Sequence, residues 1–180
     1  MYIVRYAVLD WGPTLLGEWK GVSIHHAGWM VAAFEISGIV GMLVAGWATD
    51  RFFGGRGPRV CVICMALATV FVALFWGISQ PPMWLATLLL GAAGFCIYGP
   101  QALVGIAAAN IATKKAAATA VGFTGLFGYA STLVSGWGLG LLAQHYGWNI
   151  AVGALILIAI MGTLIFMAAW SAKANGYDND

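Results

Sequence analysis

The sequence predicts an all-α membrane protein of six transmembrane helices, arranged as a 3+3 inverted repeat. Three observations predict it. The composition is apolar and nearly free of charge, six apolar stretches follow one another, and a ten-residue block recurs half a chain later. Of 180 residues, 62% are apolar and 8% are charged. A soluble domain carries about 25% charged residues, so this chain cannot cover a surface facing water. In lipid each backbone polar group must be satisfied within its own segment, which makes long apolar runs helices. A closed barrel needs ten-residue alternating strands, and these runs are continuous.

The stretches are residues 1–16, 27–48, 60–79, 83–110, 117–143 and 150–172. Crossing a hydrocarbon core of about 30 Å takes about 20 helical residues. The first stretch, at 1.5 Å per residue, reaches only about 24 Å. It begins abruptly at Met1 with Arg5 close behind, and it reads as a helix whose beginning is missing, in a chain that is a fragment. In the fourth stretch Gly99-Pro100 should produce a kink, because proline removes a donor and clashes with the preceding turn. Gly38/Gly41, Gly91/Gly94 and Gly122/Gly125/Gly128 form smooth strips at three-residue spacing, suited to close approach of helices.

Basic residues set the orientation. Arg51, Arg56, Arg59, Lys114, Lys115 and Lys173 fall on one side of the expected membrane, against Lys20 alone on the other. The positive-inside rule therefore puts both termini in the cytoplasm and the 17–26, 79–83 and 144–149 loops outside. The recurring block is Gly38-Ile-Val-Gly-Met-Leu-Val-Ala-Gly-Trp47 against Gly128-Tyr-Ala-Ser-Thr-Leu-Val-Ser-Gly-Trp137, a shift of 90 residues with five of ten positions identical. Three helices per repeat is an odd number, so the copies run in opposite directions. That is the build of the six-helix halves of major facilitator transporters.

Arg5 is the most informative charge. About 11 residues from the outer end of its stretch, it lies about 16 Å deep. An arginine at that depth costs at least about 2.5–3.5 kcal/mol, so it must face a cavity or a partner. Asp10, about 140° round the helix, is badly placed to pair with it. Two readings stand. An anionic ligand would suit its planar fork, and Glu35, about 12 Å deep, would suit a fixed ion pair; Glu35 could also hold Arg5 between ligands. Glu35 itself reads either as a protonated, hydrogen-bonded carboxyl or as a proton-coupling carboxylate. Asp10 beside Trp11 is a candidate salt-bridge residue. Tyr2, Tyr98 and Tyr129 each place a hydroxyl within a helix.

Other chemistry has little support. Cys61-x-x-Cys64 has no second pair and no neighbouring histidine, and reads as small buried residues. His25-His26 lacks a third ligand, so no metal site or cofactor is expected. No nucleophile elbow, metalloprotease motif or phosphate-binding loop is present, which leaves enzyme chemistry without a seat. The first residues show neither the basic region nor the cleavage site of a signal peptide.

Gly46-x-x-x-Asp50-Arg51-x-x-Gly-Gly-Arg56-Gly resembles the loop between the second and third helices of a major facilitator half. Three further blocks are more specific: Tyr2-Ile-Val-Arg5-Tyr6-x-x-x-Asp10-Trp11-x-Pro13, Tyr98-Gly-Pro-Gln-x-Leu-x-Gly105, and Lys114-Lys115 through to Tyr129. Together they resemble the C-terminal half of the organophosphate:phosphate antiporters. The resemblance implies exchange of an organophosphate such as glycerol 3-phosphate for inorganic phosphate, in the inner membrane, with a separate N-terminal half as partner and no nucleic acid. It implies that Arg5 grips phosphate, that Tyr2, Tyr98 and Tyr129 line the site, and that Glu35 stands near it. Asp50, Arg51 and Arg56 would form a gating charge relay. The same family includes hexose-phosphate sensors, which keeps a sensor as an alternative, alongside an inactive fragment.

Overall fold

The computed structural model describes residues 1–112 and 115–171. Lys114 and Lys173, counted above in the charge bias, and Ala172, the last residue of the sixth stretch, lie outside the described residues. The elements are α1 (Tyr2–Lys20), α2 (Ile24–Phe52), α3 (Gly57–Gly77), α4 (Met83–Ile111), α5 (Ala117–Leu133), a π-helical turn (Val134–Gly138), α6 (Leu139–Tyr146) and α7 (Trp148–Ala168). No strand occurs among the described residues. The α5–π–α6 run forms one rod, Ala117–Tyr146. The described residues thus form a bundle of six rods, five of them long and apolar enough to cross a membrane. The sixth, α1, carries Arg5, Asp10, Glu18 and Lys20.

Helix α1 runs four residues past the first apolar stretch. Glu18 and Lys20 end the apolar pattern but not the helix, which is closed by Gly21 at φ 68°. Gly21 N–H donates to the Gly17 carbonyl and Val22 N–H to that of Leu16. This left-handed cap satisfies the last carbonyls, and glycine adopts it without a Cβ penalty. Lys20 then reaches over Trp19 and donates from Nζ to the Ile78 carbonyl at 2.6 Å, tying α1 to the end of α3. Similarly, α2 starts three residues before its apolar stretch, because the Ser23 hydroxyl caps it by accepting from His26 N–H.

The π-helical turn interrupts what reads as one uniform helix at 117–143. Trp11 of α1 supplies its local compensation. Its indole N–H donates to the carbonyls of Ser135 and Gly136, at 3.2 and 3.0 Å. Gly140 leaves room for the indole ring, since a Cβ there would lie 2.6 Å from a ring carbon.

Packing is closest between α2 and α4. Lipid tails are as apolar as leucine, so helices associate in the membrane through close van der Waals fit rather than by escaping water. Gly41 lies against the backbone of Phe95, and Gly94 against the backbone of Phe34. Ser37 adds an interhelical bond, its hydroxyl donating to the Gly91 carbonyl at 2.7 Å. The glycine strips are therefore not equivalent. Gly38, Gly41, Gly94 and Gly128 touch another helix closely, whereas Gly122 and Gly125 have open space where a Cβ would be. Helix α4 runs on through a fully buried Pro100, and α3 packs between α4 and α7. The inner core joins Val4, Phe34, Met65, Ile97, Tyr98 and Ala159 from five helices.

Candidate functional site

Arg5 meets two helices. Its Nη1 donates to Gln101 Oε1 of α4 at 3.1 Å, and its Nη2 to Glu35 Oε2 of α2 at 3.4 Å. Arg5–Glu35 is the one ion pair within 4.0 Å among the described residues. At 3.4 Å it is looser than a well-formed charge-assisted bond, which runs about 2.7–2.9 Å. The two side chains keep 20% and 29% of their surface open. Arg5 Nε, Glu35 Oε1 and Tyr98 Oη are buried with no hydrogen-bond partner of good geometry. This cluster holds more polar capacity than the protein itself uses.

Aromatic rings fix the guanidinium between them. Its Cζ lies 4.2 Å from the centroid of Tyr98 and 5.7 Å from that of Tyr6. Tyr6 in turn stacks on Tyr2, with centroids 6.3 Å apart and planes 16° apart. A cation over aromatic faces is held by the ring quadrupole while its N–H edge stays free to bind. Two glycines set the rings. A Cβ on Gly38 would lie within 2.7 Å of the Tyr98 ring carbons, and one on Gly128 would lie 2.8 Å from Tyr2 Cζ. These are the first residues of the two recurring blocks, so the repeat noted in the sequence contributes one ring support from each copy.

The cluster opens on a cavity of about 600 Å³ lined by Tyr2, Arg5, Tyr6, Tyr98, Gln101 and Tyr129, among others. Among the described residues, its one charged lining residue is Arg5. Tyr98 is buried, whereas Tyr129 on α5 is 69% exposed. A larger cavity, about 1140 Å³ between α2, α3 and α4, is lined by apolar side chains with Ser37, Thr87 and Cys96, and offers no charge to an anion.

The structure thus brings together Arg5, Glu35, Tyr2 and Tyr98, with Tyr129 across the cavity. Gln101 and Tyr6 join them and were missed as site residues in the sequence. Gln101 stands three residues after Tyr98, a spacing that puts both on one helix face, and Tyr6 adjoins Arg5. Those spacings were the available signal. Asp10, Asp50, Arg51 and Arg56 are not part of this cluster, and none has an ion-pair partner among the described residues. Asp10 is exposed near Gly136, Asp50 and Arg51 are exposed at the end of α2, and Arg56 caps α3. The turn between α2 and α3 closes through its backbone: Gly54 and Gly55 take φ of 57° and 75°, and the Phe53 and Gly55 N–H groups donate to the Thr49 carbonyl.

A bundle of long apolar helices, with an arginine beside two aromatic rings at the edge of a cavity, defines a multi-pass membrane protein. It belongs to the Major Facilitator Superfamily, which it matches over residues 3–176. The chain is 39% identical over 173 residues to a probable hexose phosphate transport protein of Chlamydia pneumoniae, covering 96% of this chain and 38% of that protein. It is 36% identical over 172 residues to the glycerol-3-phosphate transporter of Bacillus subtilis, covering 95% and 39%. To the membrane sensor protein UhpC of Escherichia coli it is 35% identical over 161 residues, covering 89% and 36%. It therefore spans less than half the length of each of these relatives.

Proposed function

We propose that this chain is the C-terminal six-helix half of an inner-membrane antiporter that exchanges glycerol 3-phosphate, or a similar organophosphate, for inorganic phosphate. The observation that carries the proposal is Arg5, held between Tyr98 and Tyr6 with its fork directed to a loosely bound carboxylate and an amide. A phosphate matches that fork bidentately and brings the charge to displace Glu35. Tyr2, Tyr98 and Tyr129 form the wall of the site, and Glu35 holds Arg5 between substrates. Similarity to a glycerol-3-phosphate transporter and to a probable hexose phosphate transport protein supports this substrate class.

Alternating access rocks two halves about a central site. This half supplies one wall, and the exposed Leu126, Phe127, Tyr129, Leu133 and Trp137 of the α5 rod, with Ile36, Leu43 and Trp47 of α2, suit a partner half. The packing supports a 3+3 inverted repeat: α2 meets α4 as the α5 rod meets α1, and α3 meets α4 as α7 meets α1. Asp50, Arg51 and Arg56 are assigned as gating charges at the cytoplasmic end and Asp10 as one at the outer end, pairing in another conformation. The basic residues of the α2–α3 turn support cytoplasmic termini.

Counterflow in proteoliposomes tests the reading. The chain alone should be silent, and the chain co-produced with the N-terminal half of the Bacillus subtilis transporter should exchange phosphate, inhibited by glycerol 3-phosphate. Silence from a folded, paired complex would sink the antiporter. Binding of hexose phosphate without counterflow would favour a sensor instead, a reading that the likeness to the Escherichia coli sensor keeps in view. In the exchanging pair, Gly38→Ala should push Tyr98 off Arg5 and raise the half-saturating phosphate concentration about tenfold, or about 1.4 kcal/mol. Gly153→Ala, at a site with nothing within 4 Å, should leave it unchanged.

A further inference from the structure

We propose that Gln101 is a second phosphate ligand beside Arg5, the neutral group that stays in place when the arriving anion displaces Glu35. The inference rests on the phosphate-exchange reading and extends it. In this structure Arg5 divides its fork, Nη1 to Gln101 and Nη2 to Glu35. The two acceptors are unlike in charge. A phosphate approaching Nη2 repels the Glu35 carboxylate but has no quarrel with an amide. Gln101 also offers what Glu35 does not, two N–H donors on the group that accepts from Arg5. With Oε1 on Nη1 and Tyr2 as a second hydrogen-bond partner of the amide, Nε2 still carries two hydrogens, so one is available to the cavity, which Gln101 lines and Glu35 does not. One phosphate could then take Arg5 Nη2 and Gln101 Nε2 together. Tyr98, three residues earlier on the same face of α4, presses its ring on the same guanidinium, so α4 supplies both the face and the edge contact.

A charge swap separates this role from packing. Gln101→Glu keeps the shape and places a second carboxylate on Arg5. The titratable and charged groups around it would be Tyr2, Arg5 and Tyr6 of α1, Glu35 of α2, Tyr98 of α4 and Tyr129 of α5. A new carboxylate there competes with phosphate while ionised and stops competing once protonated. Its effect is therefore read as the ratio of variant to wild type at each pH, which removes the titration of phosphate from the comparison.

The experiment is phosphate counterflow by the chain paired with the N-terminal half, in wild type, Gln101→Glu and Gln101→Leu, at pH 7.5 and 5.5. Gln101→Glu should raise half-saturating phosphate on the order of 30-fold at pH 7.5, shrinking to about threefold at pH 5.5, with the maximal rate within about twofold. Gln101→Leu should raise it about tenfold at both pH values, and Gln101→Asn should recover part of the loss. Equal half-saturation in wild type, Gln101→Glu and Gln101→Leu would overturn the assignment while leaving the exchanger intact. A uniform fall in maximal rate with half-saturation unchanged would make Gln101 a packing residue and overturn it as well. Wild-type silence would overturn the phosphate-exchange reading itself, and this inference with it. If Gln101→Glu does not accumulate in the membrane, the Gln101→Leu and Gln101→Asn pair decides.

Discussion

Arg5→Ala should lower phosphate exchange by the paired carrier at least about 100-fold, a loss of about 2.7 kcal/mol or more. Among the described residues Arg5 is the one charged side chain lining its cavity, and none of the other lining residues carries a positive charge to replace it. The substitution leaves Glu35 without its counter-ion, but that side chain keeps 29% of its surface open, so water can reach the carboxylate. The chain should therefore still insert and fold. Arg5→Lys should retain charge but lose the planar fork and the stacking against Tyr98 and Tyr6, falling between wild type and alanine, about 10-fold down. Glu35→Gln should do the opposite of Arg5→Ala for binding, lowering half-saturating phosphate by removing the competing carboxylate, while slowing release. Initial rates of labelled-phosphate counterflow across a concentration series measure all three. An Arg5→Ala carrier with wild-type exchange would refute the placement of the anion site.

Gly41→Ala should destabilise the bundle more than alanine at any open glycine, by about 1–3 kcal/mol or more. The added methyl has no flexible side chain to push aside. It would meet the Phe95 backbone, whose carbonyl carbon lies 2.6 Å from the new atom. Gly94→Ala should behave alike, against the backbone of Phe34 at 3.0 Å. The two helices must separate along their closest seam, and Tyr98 and Gln101 on α4 would move relative to Glu35 on α2. By contrast, Gly122→Ala and Gly153→Ala have nothing within 4 Å and should stabilise their helices by up to about 1 kcal/mol, because alanine is the better helix former. Thermal unfolding in a mild detergent reads the opposite signs. Equal and small effects at all four positions would mean that the α2–α4 seam is not held by backbone approach.

The fate of the glycines shows how far a sequence can be read. Their spacing announced close packing, but spacing is the same for Gly122 in open space and for Gly128 beneath Tyr2. Which strip meets a partner depends on how each helix is rotated, a property of the whole bundle. The π-helical turn at Val134–Gly138 was invisible for a related reason. Its disrupted bonding is supported from 124 residues away in the chain by the Trp11 indole.

What the sequence alone determined is what is local or one-dimensional. Apolar run length dictates helices in lipid, because a backbone with no water near must bond to itself. The cost of charge at depth singled out Arg5 and Glu35. The tertiary structure decided which groups converge on Arg5. Gln101 lies 96 residues away from Arg5 along the chain and carries no charge to mark it, and Tyr6 looks like any other aromatic beside an arginine. Asp10, Asp50, Arg51 and Arg56 at the helix ends have no ion-pair partner among the described residues, because an exposed ion pair gains little in water and the α2–α3 turn is already closed by its own backbone. Energetic cost at one position can be read along a chain, but the direction in which a side chain points is settled only when six helices pack.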